Sequence, residues 1–469
     1  LRSMILAILA LLPINLGASV SLKAVEDFVT AVWPESGAPG LAYAAIDKGK
    51  VAAGARGTTL AGGGEPVTPD TPFLIGSVSK SFTALAVMQL VEAGKLDLDT
   101  GVGNYLDAFA GRPSGAITLR QLLSHTSGYS TVQGNGPHAE TLAAHAAMVA
   151  DWTPAYSPGE RWEYSNTNYH LLGAVIEAVT GEDFANYIER SILKPAGMTH
   201  SFVARGAEPG GVARGHRPWF GGKRAYTERE NGQVAAPAGG IFASASDLVR
   251  YAAIMLDGRD DIISAVGKAQ MLRPASKQSP FYGLGWFIDL KAGTAAHRGL
   301  VPGSEALVTL LPAERKAAIV LVNANGGIGF ADNGSLLNGI TAIALGREYA
   351  GEGSRIWPKT TFLMMLVLPL LFLVSTGWAW RSRAALRRKR TQSVAGLLSL
   401  WFPVATTLAM AAFLLAIVPG LFGGSVNTLM LYQPDFAACM IAAAILGPLW
   451  AVVRLTIAYG PVLSSATAD

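Results

Sequence analysis

The 469-residue chain holds a single cysteine, Cys439, and few charges, with Asp, Glu, Lys and Arg making up 15%. One thiol cannot form an internal disulfide, so a disulfide scaffold is excluded and stability must come from a hydrophobic core. No Gly-X-Y period, no low-complexity tract beyond Ala/Gly richness and no repeat of roughly 20–50 residues is present, which excludes a collagen and gives no sign of a solenoid. The seven histidines show no His-Glu-x-x-His or other ligand spacing, and no Gly-x-Gly-x-x-Gly sits between a strand and a helix. Neither a metal nor another cofactor is therefore expected.

What is present is apolar, half of all residues, and unevenly charged. Residues 355–469 carry nine Lys/Arg and two Asp, against 28 basic and 31 acidic residues before them, so the tail is about +7 and the rest about −3. Within the tail, segments 361–380, 394–422 and 436–453 are each close to the length that crosses a bilayer as a helix. Between the first two lie Arg381, Arg383, Arg387, Arg388, Lys389 and Arg390. A nucleic-acid patch is the competing reading of that run, but its place between two spans favours a cytoplasmic loop. The orientation then puts residues before about 357 outside the cytoplasm and the C-terminus inside, with inner-membrane lipid as a partner and no nucleic acid.

The first residues agree, with Arg2, an apolar run over 4–12 and then Leu16-Gly17-Ala18, the pattern of a secretory leader; Met4 is a candidate start, and an uncleaved anchor is the alternative. The expected organisation is a leader over 1–20, a catalytic domain over 21–349, a linker over 350–357 and three transmembrane helices over 358–460. Those helices also offer a surface for dimerisation.

Within the exported part, 41–46 and 51–55 flank Asp47-Lys48-Gly49-Lys50 and read as a hairpin, and a long helix follows Phe73-Leu74-Ile75 and stops at Gly94. The middle of the chain reads as a helical insertion, with helices over 119–123, 168–179, 184–192 and 246–256. Strands return at 284–290, 305–311 and 317–322, and a helix over 334–345 closes the domain. The expected fold is α+β, an antiparallel sheet flanked by helices with a helical subdomain, in which the first and last segments share one sheet.

Three short motifs carry chemistry. In Gly76-Ser77-Val78-Ser79-Lys80 a serine precedes a lysine by three positions at a helix start, which puts both side chains on one face. A lysine held neutral by desolvation can activate such a serine. The spacing alone is weak, because Ser191-Ile192-Leu193-Lys194 repeats it at a helix end. Tyr164-Ser165-Asn166 offers a tyrosine to protonate a leaving group and an amide to hold both the lysine and a substrate carbonyl, although an ordinary helix N-terminus would look the same. In His297-Arg298-Gly299 the glycine lets a substrate backbone approach a strand edge, and the Leu300 N–H can pair with that of Ser77 as an oxyanion hole. A lone histidine is more often structural.

Their order changes the weighting: Tyr164 follows Ser77 by 87 residues and His297 follows Tyr164 by 133. With Leu122-Leu123-Ser124-His125-Thr126-Ser127-Gly128, Gly239-Gly240-Ile241-Phe242-Ala243-Ser244 and Tyr282-Gly283-Leu284-Gly285-Trp286, the chain over about 24–347 resembles the serine β-lactamase and penicillin-binding-protein-like hydrolases, the group of the class C β-lactamases. The resemblance implies Ser77 as acylated nucleophile, Lys80 as its proton acceptor, Tyr164 with Lys80 as the proton relay, and Asn166, His297, Gly299 and Leu300 in substrate binding. It departs from many dedicated β-lactamases and cell-wall enzymes, which carry Lys-Thr-Gly at the third motif; His-x-Gly resembles the esterase and aminopeptidase branches.

Leader, hydrolase domain and three spans together resemble the colibactin-type prodrug-activating D-amino-acid peptidases of nonribosomal peptide pathways. That architecture implies cleavage of an N-acyl-D-asparaginyl amide in the periplasm. The competing expectations are a carboxylesterase, a weak D,D-carboxypeptidase or a β-lactamase on the same site, acting on a small ester or peptide, and, from another class, a non-catalytic ligand-sensing membrane protein.

Overall fold

A computed structural model describes residues 22–206, 210–226 and 232–460. The expected leader lies outside the described residues. The chain divides between Gly353 and Ser354 into two compact units.

In chain order the first unit contains α1 (Leu22–Ser36), β1 (Gly40–Asp47), β2 (Lys50–Gly57), β3 (Phe73–Leu74), α2 (Ser79–Glu92), α3 (Leu142–Ala150), α4 (Asn166–Thr180), β4 (Phe202–Val203), β5 (His216–Trp219) and β6 (Gly222–Ala225). It continues with β7 (Ile241–Ala243), α5 (Ala245–Leu256), β8 (Phe287–Asp289), β9 (Thr294–Val301), β10 (Ser304–Leu311), β11 (Lys316–Val322) and α6 (Ile340–Ala344), besides further helical segments of seven residues or fewer.

The main sheet is antiparallel and six-stranded, in the order β2-β1-β11-β10-β9-β8. The first and last strands of the domain therefore do meet, with Leu41 opposite Val322 and Asp47 opposite Lys316. The hairpin turn has both central residues, Lys48 and Gly49, at positive φ (51° and 86°), the geometry that matches the twist of its two strands. Strands β10 and β11 are buried along their whole length, because both sheet faces are covered. On one face Val25 and Val29 of α1 pack with Leu336 and Ile340 against Tyr43 and Val320. On the other, Phe82 and Leu85 of α2 and the helical region pack against Ala44, Ile319 and Val308.

The structure differs from the expectation in several places. Helix α1 was not anticipated. The strand expected over 284–290 shrinks to Phe287–Asp289, because Gly285 adopts φ +80° and bends the chain before it. Strand β9 contains the third motif itself rather than following it. The helical middle also holds a small sheet, β3-β7-β4, and the hairpin β5-β6.

The second unit contains α7 (Ile356–Arg381), α8 (Val394–Leu421) and α9 (Pro434–Tyr459), three helices long and apolar enough to cross a membrane, with mean hydropathies of 2.1, 2.1 and 2.2. The first begins inside the segment expected as linker. The basic residues after it form a separate short helix, Arg383–Gln392. Gly447 of α9 lets α7 and α8 approach, since a Cβ there would stand 2.9 Å from Met410 Cε and 3.2 Å from Phe372.

Candidate active site

Ser77 lies in a single 3₁₀ turn, Gly76–Val78, that leads directly into α2. The turn requires Gly76 at φ +54°, and a side chain there would also press on strand β9, with its Cβ 3.0 Å from the Leu300 nitrogen. Gly299 answers from the other side, where a Cβ would stand 1.9 Å from the Ile75 carbonyl oxygen. Two glycines thus let β9 and the Ser77 turn approach backbone to backbone.

Lys80 is one turn on, with no exposed surface at all. Its Nζ is 3.1 Å from Ser77 Oγ, 2.8 Å from Asn166 Oδ1 and 2.8 Å from the Ala238 carbonyl oxygen. None of these partners carries a charge, so burial alone drives the amine well below its usual value of 10.5. Once neutral, Nζ offers a lone pair to the Ser77 hydroxyl and keeps two protons for Asn166 and Ala238. By contrast Lys194, of the second Ser-x-x-Lys, is exposed and belongs to no such site.

The Tyr164 ring centre is 4.9 Å from Lys80 Nζ. The ring packs against His125 at 4.3 Å between centres and lies nearly parallel to Phe287 at 6.4 Å. Its backbone is fixed by Thr131 Oγ1, which donates to the Tyr164 carbonyl at 2.7 Å. Asn166 opens α4, its Oδ1 toward Lys80 and its Nδ2 donating to Asn135 Oδ1 at 3.2 Å. Ser165 is at the N-cap position, but its side chain makes no capping hydrogen bond. The motif therefore does more than start a helix.

Residues 24–341 match the family model described as Beta-lactamase. The chain belongs to that family. Among curated relatives of this β-lactamase-family protein, Protein flp of Staphylococcus aureus (strain NCTC 8325 / PS 47) is 28% identical over 383 residues, covering 77% of this chain and 74% of the relative. A solved D-stereospecific amidohydrolase from a Streptomyces species is 28% identical with a TM-score of 0.54, covering 65% of this chain and 94% of that one. A class C β-lactamase shares the fold, with a TM-score of 0.59 at 21% identity and coverage of 69% and 95%. The protein is a β-lactamase-fold serine hydrolase.

Within this β-lactamase fold, the third motif is divided by strand alternation. His297 and Gly299 face inward, whereas Arg298 is turned to the opposite face. There its guanidinium meets the buried Glu305 carboxylate at 2.5 Å, and the other oxygen of Glu305 accepts the Gly326 N–H at 2.7 Å. Arg298 is thus a structural cation. Both ring nitrogens of His297 are engaged, Nδ1 with the Arg298 carbonyl at 2.9 Å and Nε2 with the Tyr282 hydroxyl at 3.2 Å. Burial, with Lys80 nearby, lowers His297 to about 3, so it is neutral. Strand β8 pairs only with residues 294–296 of β9, which leaves the edge around Gly299 beyond β8.

The sequence marks the phrase containing His125 but not the contacts by which these residues are held in place. His125, at φ +59°, underlies Tyr164, and its Nδ1 accepts from the Ser165 N–H at 3.2 Å and from Asn168 Nδ2 at 3.0 Å. The Ala238 carbonyl, a ligand of Lys80, comes from the segment just before the Gly-Gly phrase. The fold also gathers His138, His145 and His170, which no short ligand spacing announced.

Proposed function

We propose that this serine hydrolase is membrane-anchored in the periplasm and cleaves an amide beside a D-amino acid, with Ser77 as nucleophile. The observation that carries the reading is Lys80, fully buried, without a charged partner, and 3.1 Å from Ser77 Oγ. Neutral Lys80 takes the hydroxyl proton as Oγ bonds to the substrate carbonyl carbon. The oxyanion that forms is held by the N–H groups of Ser77 and Leu300. Tyr164, together with Lys80, passes a proton to the leaving nitrogen, the C–N bond breaks and an acyl-enzyme ester remains. Water then adds by the reverse proton path and releases the acid. The β9 edge at Gly299, beyond the reach of β8, takes the substrate backbone, Asn166 holds Lys80 and positions the substrate carbonyl, and His297 supports the wall through Tyr282 rather than by bonding to substrate.

Selectivity for a D-residue is supported by the likeness to the D-stereospecific amidohydrolase. The three long apolar helices support anchoring, and the basic helix Arg383–Gln392 supports an orientation with the catalytic domain outside the cytoplasm. Within that reading the substrate is an N-acyl-D-asparaginyl prodrug amide. The Arg298–Glu305 pair disfavours a D,D-carboxypeptidase or β-lactamase, because it withholds a cation from a substrate carboxylate.

The test is mass-spectrometric cleavage of matched N-acyl-D- and N-acyl-L-asparaginyl amides by the detergent-solubilised chain, with Ser77→Ala as control. D-selective cleavage that is lost in Ser77→Ala is the expected outcome. Cleavage of neither amide, from protein that still reacts with a serine-directed phosphonate, would replace the peptidase with an esterase.

A further inference from the structure

Beside this site, α3, α4 and the loop over 135–141 converge on three imidazoles. His145 and His170 are buried and His138 is exposed at the rim; one ring nitrogen from each lies within 4.8 Å of the others. His170 Nδ1 and His145 Nε2 are 3.2 Å apart. Two nitrogens on one tetrahedral zinc at about 2.0–2.1 Å stand roughly 3.3–3.4 Å apart. The ring centres around such an ion are then separated by roughly 5.2 Å. Here they are separated by 5.2 Å (His138–His145), 4.8 Å (His138–His170) and 5.0 Å (His145–His170).

We propose that His138, His145 and His170 bind one divalent first-row transition-metal ion, zinc by preference, with a fourth position open to solvent at His138. Imidazole ligands suit zinc, whereas magnesium and calcium require oxygen donors. Binding would fasten the 135–141 loop to α3 and α4. That loop starts at Asn135, the hydrogen-bond partner of Asn166, so the ion also steadies one wall of the site. The inference stands on the histidine geometry and does not depend on the substrate of the hydrolase.

The test uses the full-length, detergent-solubilised chain without a polyhistidine tag, stripped with a chelator and titrated with Co²⁺, then with Zn²⁺ in competition. One ion per chain is expected, with the visible bands of tetrahedral Co²⁺ and a melting temperature raised by Zn²⁺. His138→Ala, an exposed loop change that spares the core, should weaken binding by more than about tenfold, the lower end of the loss from removing an outer-shell partner alone, and should abolish the thermal shift. No stoichiometric binding by protein with a native circular-dichroism spectrum, or unchanged affinity in His138→Ala, would overturn the proposal.

Discussion

Replacing Gly299 with alanine tests the contact on which the site depends. The added Cβ would stand 1.9 Å from the Ile75 carbonyl oxygen and 2.8 Å from its carbon, and both are backbone atoms that no rotamer change can move. Real Cβ atoms do not come within 3.0 Å of such neighbours, so β9 and the Ser77 turn must separate by at least about 1.1 Å. The backbone conformation of Gly299 itself is one alanine accepts, so the effect isolates the close approach. Overpacking of this kind costs about 1–3 kcal/mol of stability. A displacement of ~1 Å between reacting groups costs about 10²-fold in rate. We expect Gly299→Ala to fold with a melting temperature lower by a few degrees, and to be acylated by a serine-directed phosphonate about 10²-fold more slowly than wild type. Stopped-flow or gel-based acylation rates, with a thermal melt on the same sample, read both. A lowered melt with an unchanged rate would refute the oxyanion role of the Leu300 N–H. If neither changed, the close packing of β9 on the turn would itself be refuted.

Removing the amine in Lys80→Met should slow acylation by about 10²–10⁴-fold. In wild type the rate should rise with pH through one ionisation below 10.5, and Lys80→Met should lose that limb. The sign for stability follows from the same depression. Between the folded and unfolded pKa values the unfolded chain binds the extra proton, so the contribution of Lys80 to stability increases with pH across that window and is lost as pH falls through the folded value; urea midpoints at several pH values check this. His125→Phe should retain the stack under Tyr164 but strand the Ser165 and Asn168 donors, at about 1–3 kcal/mol each, measured by chemical denaturation. Arg298→Ala should destabilise the domain by leaving the Glu305 carboxylate buried without its cation, yet leave KM nearly unchanged; a large rise in KM alone would show that Arg298 meets the substrate.

Strands β1, β10 and β11 were legible because long apolar runs end in turns with recognisable chemistry, Lys48-Gly49 in one case and Pro312 with Arg315 in the other. Strand β9 was not, because Thr-Ala-Ala-His-Arg-Gly-Leu-Val has little β-propensity of its own and owes its state to pairing with β10. Strands of two or three residues, such as β3 and β7, are too short to show a period. Helix α1 was hidden by Pro34 near its end and by the apolar leader before it. In the site, Ser77, Lys80, Tyr164, Asn166 and His297 were legible from the order of three motifs. The side-chain directions within the third were not, since only strand alternation separates His297 from Arg298. His125 is 40 residues from the amide it accepts, and the Ala238 carbonyl carries no side-chain signal, so the role of neither could be found from local pattern.

The groups around Ser77 also explain why a lysine can act there near neutral pH. Lys80, His125 and His297 are all buried, and His125 and His297 are each pushed down further by the charge Lys80 would carry. Burial is the largest cause in all three, so the pocket opposes positive charge. In the proposed mechanism that opposition ends only when a proton moves from Ser77 to Lys80, because an oxyanion then forms a few ångströms away. In a low-dielectric site an ion pair so close gains far more than it would in water. The ammonium is thus least costly in the transition state, and the pocket stabilises the charges only as a pair. A nearby Asp or Glu would undo this by holding Lys80 protonated in the resting enzyme, and so Asn166→Asp should lower the acylation rate more than Asn166→Ala. The two substitutions remove the same amide, but only the first supplies a counter-ion at 2.8 Å from Nζ. Equal rates in the two variants would mean that a neutral Lys80 is not what activates Ser77.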